Sequence, residues 1–231
     1  MNEWIGTALT QKRDLLEPEA WALLAAYGIP VPKHRLVKTA AEAVAAAGAI
    51  GYPVVLKVVS QDILHKSDAG GVRVGLRDAE AVQAAYAGIL KSVRAYQPNA
   101  RVEGIFVCEM LPPGGVECII GTTHDASFGP VVMVGLGGIF VEVLRDVSFR
   151  IPPLNKADAL AMIGELKGAA LLTGIRGQKP RDVEALADML LRVARLVQEN
   201  PEIEELDINP CIVYEAGAVP VDARVLLKSV F

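Results

Sequence analysis

Pro53-Val54-Val55-Leu56-Lys57-Val58-Val59-Ser60-Gln61-Asp62-Ile63-Leu64-His65-Lys66-Ser67-Asp68-Ala69-Gly70-Gly71-Val72-Arg73-Val74-Gly75-Leu76 decides the fold class of this chain. Its first seven residues form an apolar run of strand length, rich in β-branched side chains and interrupted by one cation, Lys57. Its last five alternate apolar and polar, as a half-buried strand does. Between them lies a polar loop that ends in paired glycines. Moving outward on either side, the periodicity becomes helical. Thr39-Ala40-Ala41-Glu42 has capping-box spacing ahead of the Ala-rich stretch 43–47, and Gly48 and Gly51 close that helix before the strand. On the other side Val82, Ala85, Ile89 and Val93 recur at helical steps, which predicts a helix from about Asp78 to Tyr96. Helices and strands interleave, so the class is α+β or α/β.

The same reading extends to the rest of the chain. Glu17 to Tyr27, with Pro18 in the first turn and Gly28 after the last, is a helix. Two β-rich segments, Val102 to Met110 and Val116 to Thr122, flank Leu111-Pro112-Pro113-Gly114-Gly115, a run of breakers at which the boundary between two lobes is placed. The expected organisation is an N-terminal extension (1–17), a first lobe (18–110) and a second lobe (111–231). The second lobe should hold a strand near Pro130 to Val134, a Gly-rich turn, further strands through Phe149, and helices near 155–166 and 180–199. Three short strands follow (203–208, 211–214, 219–223), around an Asn209-Pro210 break and a turn at Glu215-Ala216-Gly217.

Composition excludes several classes. At 231 residues, with 52% apolar and 22% charged, the chain is long and apolar enough for a sizeable core. The longest stretch without an acidic, lysine or arginine residue, Ala126 to Val141, is 16 residues and is broken by Pro130 and several glycines, so no membrane span is expected. The first residues lack a basic and then apolar leader pattern, which makes a cytoplasmic protein the expectation. Net charge is -4 with no dense basic block, and nucleic acid is not expected as a partner. Cys108, Cys118 and Cys211 lie in apolar runs without CxxC spacing and read as buried reduced thiols.

Four groups of residues could carry chemistry. Lys57 sits mid-strand, where an ammonium is costly to bury unless an anion meets it, although a solvated strand face would also accommodate a lysine. The loop Ser60 to Gly71 contains His65, Lys66 and the pair Gly70-Gly71, whose backbone N–H groups could approach a phosphate; it is not a Walker loop, because no Gly-Lys-Ser/Thr opens a helix. Glu109 and Glu117 border the breaker run, either as solvated strand-end carboxylates or as partners of a nucleotide. In Glu204-Glu205-Leu206-Asp207-Ile208-Asn209-Pro210 alternation places Glu205, Asp207 and Asn209 on one face, and a hairpin return could bring Asp222 beside them. These are hard oxygen ligands suited to magnesium, while an acidic edge strand would account for Glu204 and Glu205 alone. Gly135-Leu136-Gly137-Gly138 lacks the Gly-x-Gly-x-x-Gly spacing of a dinucleotide turn, so NAD is rejected. Arg145, Arg150 and Arg176 are candidate anion partners; His34 and His124 join no constellation.

Taken in order, Pro53-Val54-Val55-Leu56-Lys57, His65-Lys66-Ser67-Asp68-Ala69-Gly70-Gly71-Val72, Gly115-Val116-Glu117, Phe128-Gly129-Pro130 with Gly135-Leu136-Gly137-Gly138, Gly174-Ile175-Arg176-Gly177 and Glu205-Leu206-Asp207-Ile208-Asn209-Pro210 resemble the ATP-grasp beta subunit of ADP-forming acetate-CoA ligases, relatives of succinyl-CoA synthetase. The resemblance covers about Leu16 to Val225. It implies an ATP-grasp fold of two lobes clamping ATP or ADP with Mg2+. Lys57 would then contact phosphate, Gly70 and Gly71 lie in the covering loop, and Glu109, Met110 and Leu111 form the adenine hinge. Glu117 is implied as a nucleotide contact and Arg176 as an anion partner. Asn209 and Asp222 look like metal ligands, with Asp207 either joining them or orienting a phosphohistidine. The implied reaction is acyl-CoA + ADP + phosphate ⇌ acid + CoA + ATP. It requires a separate CoA-binding alpha subunit in a hetero-oligomer, expected as α2β2. Two other readings are a non-catalytic nucleotide-sensing module and a stand-alone ATP-grasp carboxylate ligase; the intact lysine, histidine loop and acidic cluster argue against the first, and the chain length against the second. The resemblance also favours His65 as a transiently phosphorylated relay over a merely hydrogen-bonding residue. Its loop of about a dozen residues would have a contour of up to roughly 40 Å if the anchors permit.

Overall fold

The computed structural model describes residues 2–63, 65–138, 144–175 and 177–228. At the N-terminus α1 (Glu3–Thr10) is capped by the Asn2 side chain, which accepts from the Trp4 N–H, and α2 (Glu17–Ala26) carries Pro18 in its first turn and stops at Gly28, where φ is +76°. These helices do not belong with the residues that follow them. Leu15 N–H donates to the Val225 carbonyl at 3.2 Å and Leu227 N–H to the Asp14 carboxylate at 2.9 Å, which joins the segment to the last strand of the chain. The chain accordingly divides into residues 32–111 and a second unit made of 1–31 with 112–231. The expected boundaries of an extension (1–17) and a lobe (18–110) are corrected here. Ile5, Ala8, Trp21 and Leu24 are each no more than 1% exposed, and the apolar partner that buries them belongs to the unit built from the far end of the sequence.

Residues 32–111 form β1 (His34–Val37), α3 (Ala40–Ile50), β2 (Val54–Val59), β3 (Val72–Leu76), α4 (Ala79–Tyr96) and β4 (Gly104–Glu109). Thr39 and Glu42 make the capping box reciprocally, and the Asp78 carboxylate accepts from Ala81 N–H at the start of α4. α3 runs through Gly48 and stops at Gly51, where φ is +102°. The sheet order is β1-β4-β2-β3, antiparallel throughout. Leu56, Val58, Ile105 and Val107 meet Ala43, Ala47, Val82 and Ile89 in one fully buried core. Strand alternation therefore sends Lys57 to the opposite face of the sheet.

The second unit continues with β5 (Val116–Asp125), β6 (Gly129–Leu136), β7 (Val147–Arg150), α5 (Lys156–Gly164), α6 (Ala170–Thr173), α7 (Val183–Glu199), β8 (Ile203–Val213), β9 (Ala218–Pro220) and β10 (Ala223–Leu227). The strand order is β10-β8-β5-β6-β7, with β9 on β8, and again every pairing is antiparallel, so the class resolves to α+β. α7 buries Leu186, Met189, Leu190, Val193, Leu196 and Val197, a helical stripe. The expected break at Asn209-Pro210 is a bulge inside one continuous strand. Ile120 pairs with Ile208 and Cys118 with Cys211, so β8 spends one more residue than β5 over that interval. Proline lacks the N–H a ladder needs, and the bulge is where its absence is tolerated. Among the described residues no helix is long and apolar enough to cross a membrane.

Candidate functional site

Within residues 32–111 Lys57 is only 6% exposed, beside Phe106 of β4 and Val72 of β3 by register. A solvated strand lysine is thereby set aside: the residue is buried on the face of the sheet turned away from the core. The loop after β2 is tied down at both ends. Asp62 accepts from Arg101 N–H at 2.7 Å and from the Arg101 guanidinium at two positions, each 3.2 Å, and that guanidinium holds the Asp62 carboxyl below the usual range. Ile63 and Ala69, 3% and 2% exposed, are part of the sheet-and-helix core. Ala69, Gly70 and Gly71 N–H groups donate to the carbonyls of His65, Ser67 and Lys66 at 3.2, 3.0 and 2.7 Å.

Two expectations for this loop change. The amides of Gly70 and Gly71 do not cradle a phosphate in this arrangement, since the turns of the loop itself consume them. The glycines are needed for other reasons: Gly70 takes φ +62°, and a Cβ on Gly71 would lie 2.5 Å from Val58 Cγ1 and 2.9 Å from the Lys66 carbonyl. His65 is exposed, but it is not on a free arm. It stands two residues from a core-anchored Ile63, so its Cα reaches at most roughly 7 Å from that anchor, far short of the contour of an untethered loop. At the end of β4, Glu109 N–H donates to the Lys33 carbonyl at 2.8 Å, its carboxylate accepts from Lys33 N–H at 3.2 Å, and Met110 N–H donates to the Pro53 carbonyl at 3.2 Å. Met110 is 37% exposed, and Leu111 ends the unit.

In the second unit Glu117 is exposed on β5, and its carbonyl accepts from Gly137 N–H at 2.8 Å. A Cβ on Gly137 would lie 2.9 Å from Glu117 Cβ, so the Gly-x-Gly-Gly turn exists to let one backbone lie against this residue. Asp207 is half-buried in the middle of β8, opposite Gly121 of β5 and Arg224 of β10. Burial pushes its carboxyl up to about 6, with Glu205 and Asp222 adding to the rise and Arg224 opposing it. Asn209 N–H donates to the Asp222 carbonyl at 3.3 Å, and the Asp222 carboxylate accepts from Ala223 N–H at 2.9 Å. The return of the chain thus sets the backbones of Asn209 and Asp222 opposite one another, with Asp207 close enough for Asp222 to act on its charge. Arg176 lies outside the described residues.

Among the described residues no three His, Cys, Asp or Glu side chains gather tightly enough to hold a metal by themselves. The set here is two carboxylates and one amide oxygen. That suits magnesium, which keeps waters and substrate phosphate oxygens and asks little of the protein, better than a metal needing a full protein cage.

Sequence reasoning overlooked three contributors. Gly121 leaves space beside Asp207: a Cβ there would stand 3.0 Å from Met133 Cε and 3.9 Å from Asp207 Oδ1. The buried Thr122 hydroxyl accepts from Leu206 N–H at 3.0 Å and so fixes β8 one residue before Asp207. Arg224 needed the register of β10 to be seen.

Comparison with known proteins adds the following. The model of the ATP-grasp domain family matches residues 7–227. The chain is 50% identical, over 97% of each chain, to the acetate-CoA ligase [ADP-forming] I subunit beta of Pyrococcus furiosus. It is 46% identical to acetate-CoA ligase [ADP-forming] I of Archaeoglobus fulgidus, matching 90% of this chain but only 30% of that longer one. Among solved structures it superimposes with TM-score 0.87 and 47% identity, covering 98% of this chain and 99% of the other, on the dinucleotide-forming acetyl-coenzyme A synthetase 1 of Ca. Korarchaeum cryptofilum in complex with coenzyme A and Mg-AMPPCP, whose phosphohistidine segment points towards the nucleotide binding site.

Proposed function

Because this chain belongs to the ATP-grasp family, and within it to the beta subunits of ADP-forming acetate-CoA ligases, we propose that it binds ATP or ADP and moves the phosphoryl group between a phosphohistidine and ADP. The overall reaction is acyl-CoA + ADP + phosphate ⇌ acid + CoA + ATP. The observation that carries this reading is the presence, in one chain, of a buried strand lysine and an oxygen-donor set on β8 and the residue before β10: Lys57 at 6% exposure, and Asp207, Asn209 and Asp222. Phosphoryl transfer demands positioning and charge neutralisation rather than a nucleophilic triad, and these residues supply both.

Lys57 neutralises phosphate oxygens. Glu109 and the backbone of Met110 and Leu111 hold the base, and Glu117 the nucleotide's sugar side. Arg176 is an anion partner. Asn209 and Asp222 hold magnesium, and Asp207 either joins them or orients the phosphorylated imidazole. When bound, magnesium draws charge from the phosphate oxygens as the bond to the leaving group breaks. His65 acts through a neutral ring nitrogen: the N–P bond forms as the Pγ–O bond breaks, and ADP leaves with that electron pair. Gly70 and Gly71 serve by closing the loop that carries His65.

A CoA-binding alpha subunit completes the enzyme, as a cytoplasmic α2β2 assembly. The name of the Pyrococcus relative and the larger size of the single-chain Archaeoglobus enzyme both support a partner. The test is an ATP/ADP exchange and acyl-CoA assay with and without that partner, run over a magnesium titration on Asn209→Ala and Asp222→Asn. Asn209→Ala removes an oxygen ligand and Asp222→Asn removes a negative charge, and each should shift half-activation to higher magnesium by roughly tenfold or more. Titration as in the parent for both variants would remove these residues from the metal site.

A further inference from the structure

His65 is displayed by a loop that is fastened to the rest of its unit on both sides. On its leading side are three hydrogen bonds between Asp62 and Arg101, residues 39 apart in sequence, one from the backbone and two from the guanidinium fork. Ser60 Oγ accepts from Asp62 N–H at 3.1 Å and settles the carboxylate's backbone. On its trailing side Arg73 Nη1 donates to the Gly70 carbonyl at 2.9 Å and the Val72 carbonyl at 2.8 Å, and Val58 N–H donates to the Gly71 carbonyl at 2.8 Å. Ile63 and Ala69 are core residues. Five residues, 64–68, span the interval between these apolar anchors.

Two designs for a phosphorylated histidine are possible in such a loop. A swinging arm would have to withdraw Ile63 from the core and part the Asp62–Arg101 fork at every turnover. A docked display would keep both and present the imidazole in one geometry. Effective transfer needs the reacting atoms within roughly 3–3.5 Å and aligned, and small misplacements are costly. The fork is bidentate, planar and joined to a backbone N–H, which fixes direction as well as distance.

We propose that Asp62 and Arg101 are positioning residues for His65: their ion pair holds the loop docked, so that His65 exchanges its phosphoryl group from one fixed place. This rests on the reading of His65 as a phosphorylated residue. Arg101 is largely solvent-exposed, its side chain at 72%, so the pair acts on loop geometry rather than as a source of global stability.

The experiment measures the rate of acid-labile, base-stable label incorporation from γ-labelled Mg-ATP into the full-length chain. It compares the parent, Asp62→Ala, Arg101→Ala and the conservative Arg101→Lys, with ATP affinity measured in parallel. The expected result is incorporation slowed roughly two- to fivefold in each alanine variant, the range open to a largely solvated pair. ATP affinity should be unchanged, and Arg101→Lys, which keeps a cation and the backbone N–H of residue 101 on the Asp62 carboxylate, should retain much of the rate. Retention of the rate in Arg101→Lys separates positioning from a merely structural loss, and it also serves if an alanine variant fails to fold. Equal rates in all variants, or faster incorporation once the fork is cut, would overturn the docked display. Absence of label at His65 in the parent would show that the reading of His65 itself fails, and the inference with it.

Discussion

Asp207→Asn should make this protein more stable near pH 8 while it removes a residue assigned to the chemistry. Burial, with Glu205 and Asp222 nearby, lifts the Asp207 carboxyl from an ordinary 3.8 to about 6, against the attraction of Arg224 on β10. The acid is therefore harder to ionise in the folded chain than in the unfolded one. Below about pH 4 both states hold the proton and the site costs nothing. As pH rises from about 4 to 6 the unfolded chain releases its proton first, and the folded state falls behind. Above about pH 6 both are ionised and the full cost is present. The rise corresponds to about 3 kcal/mol at most. Water reaching a half-buried carboxylate and local relaxation reduce this, so we expect about 1–2 kcal/mol, or roughly 3–6 °C in a chain of this size.

Asparagine keeps the shape and discards the charge. Melting curves of parent and Asp207→Asn, recorded with a chelator from pH 4 to pH 8, should coincide at the acid end and separate steadily to a plateau above about pH 6.5, the variant melting higher. Adding magnesium and ADP should narrow or reverse the gap, because the ligand stabilises only the charged site. A variant that melts lower than the parent at pH 8, or a gap independent of pH, would refute the reasoning, since either would mean that Asp207 is held by favourable contacts rather than desolvated against its neighbours.

Lys57→Met, close in volume but uncharged, should fold normally and lose nucleotide affinity by tenfold or more in calorimetry; unchanged affinity would remove Lys57 from the phosphate site. Cys118 and Cys211 face each other across β5 and β8, and burial pushes the Cys118 thiol to about 12 and the Cys211 thiol well above its ordinary value. Both should resist a thiol reagent in the native state at pH 8 and react once the chain is unfolded, whereas rapid native labelling would show that this part of the sheet opens.

The elements that could be read from sequence are those whose cause is local. The capping box at Thr39 and Glu42, the cap at Asp78 and the breaker run before Gly115 each specify a boundary within a few residues, and each lies where the structure has one. What escaped is decided by partners distant in the chain. α1 and α2 join the C-terminal strands through contacts such as Leu227 N–H to Asp14, 213 residues apart, and no local pattern announces that. Asn209-Pro210 reads as a break because proline ends most strands, yet β8 passes through it, since β5 supplies a register in which the extra residue bulges.

The candidate site divides along the same line. Lys57, Asp207 and Asp222 were visible as charges set among apolar residues, a conflict between local chemistry and burial that sequence displays directly. Gly121, Thr122 and Arg224 support Asp207 from neighbouring strands, and Arg101 supports the His65 loop from another segment, so they became visible only once register and topology were known. The reach of the loop shows the difference in kind. Its length is a property of sequence, but the freedom to use that length depends on Ile63 and Ala69, whose burial depends on α3, α4 and the whole sheet. Asp207, the charge whose burial costs this chain stability, is also one of those assigned to the chemistry, while Thr122, which positions its strand, is ordinarily satisfied. Hence candidate reacting residues can be picked out in the sequence as charges among apolar neighbours. Those that aim them carry no such mark and must be found by geometry.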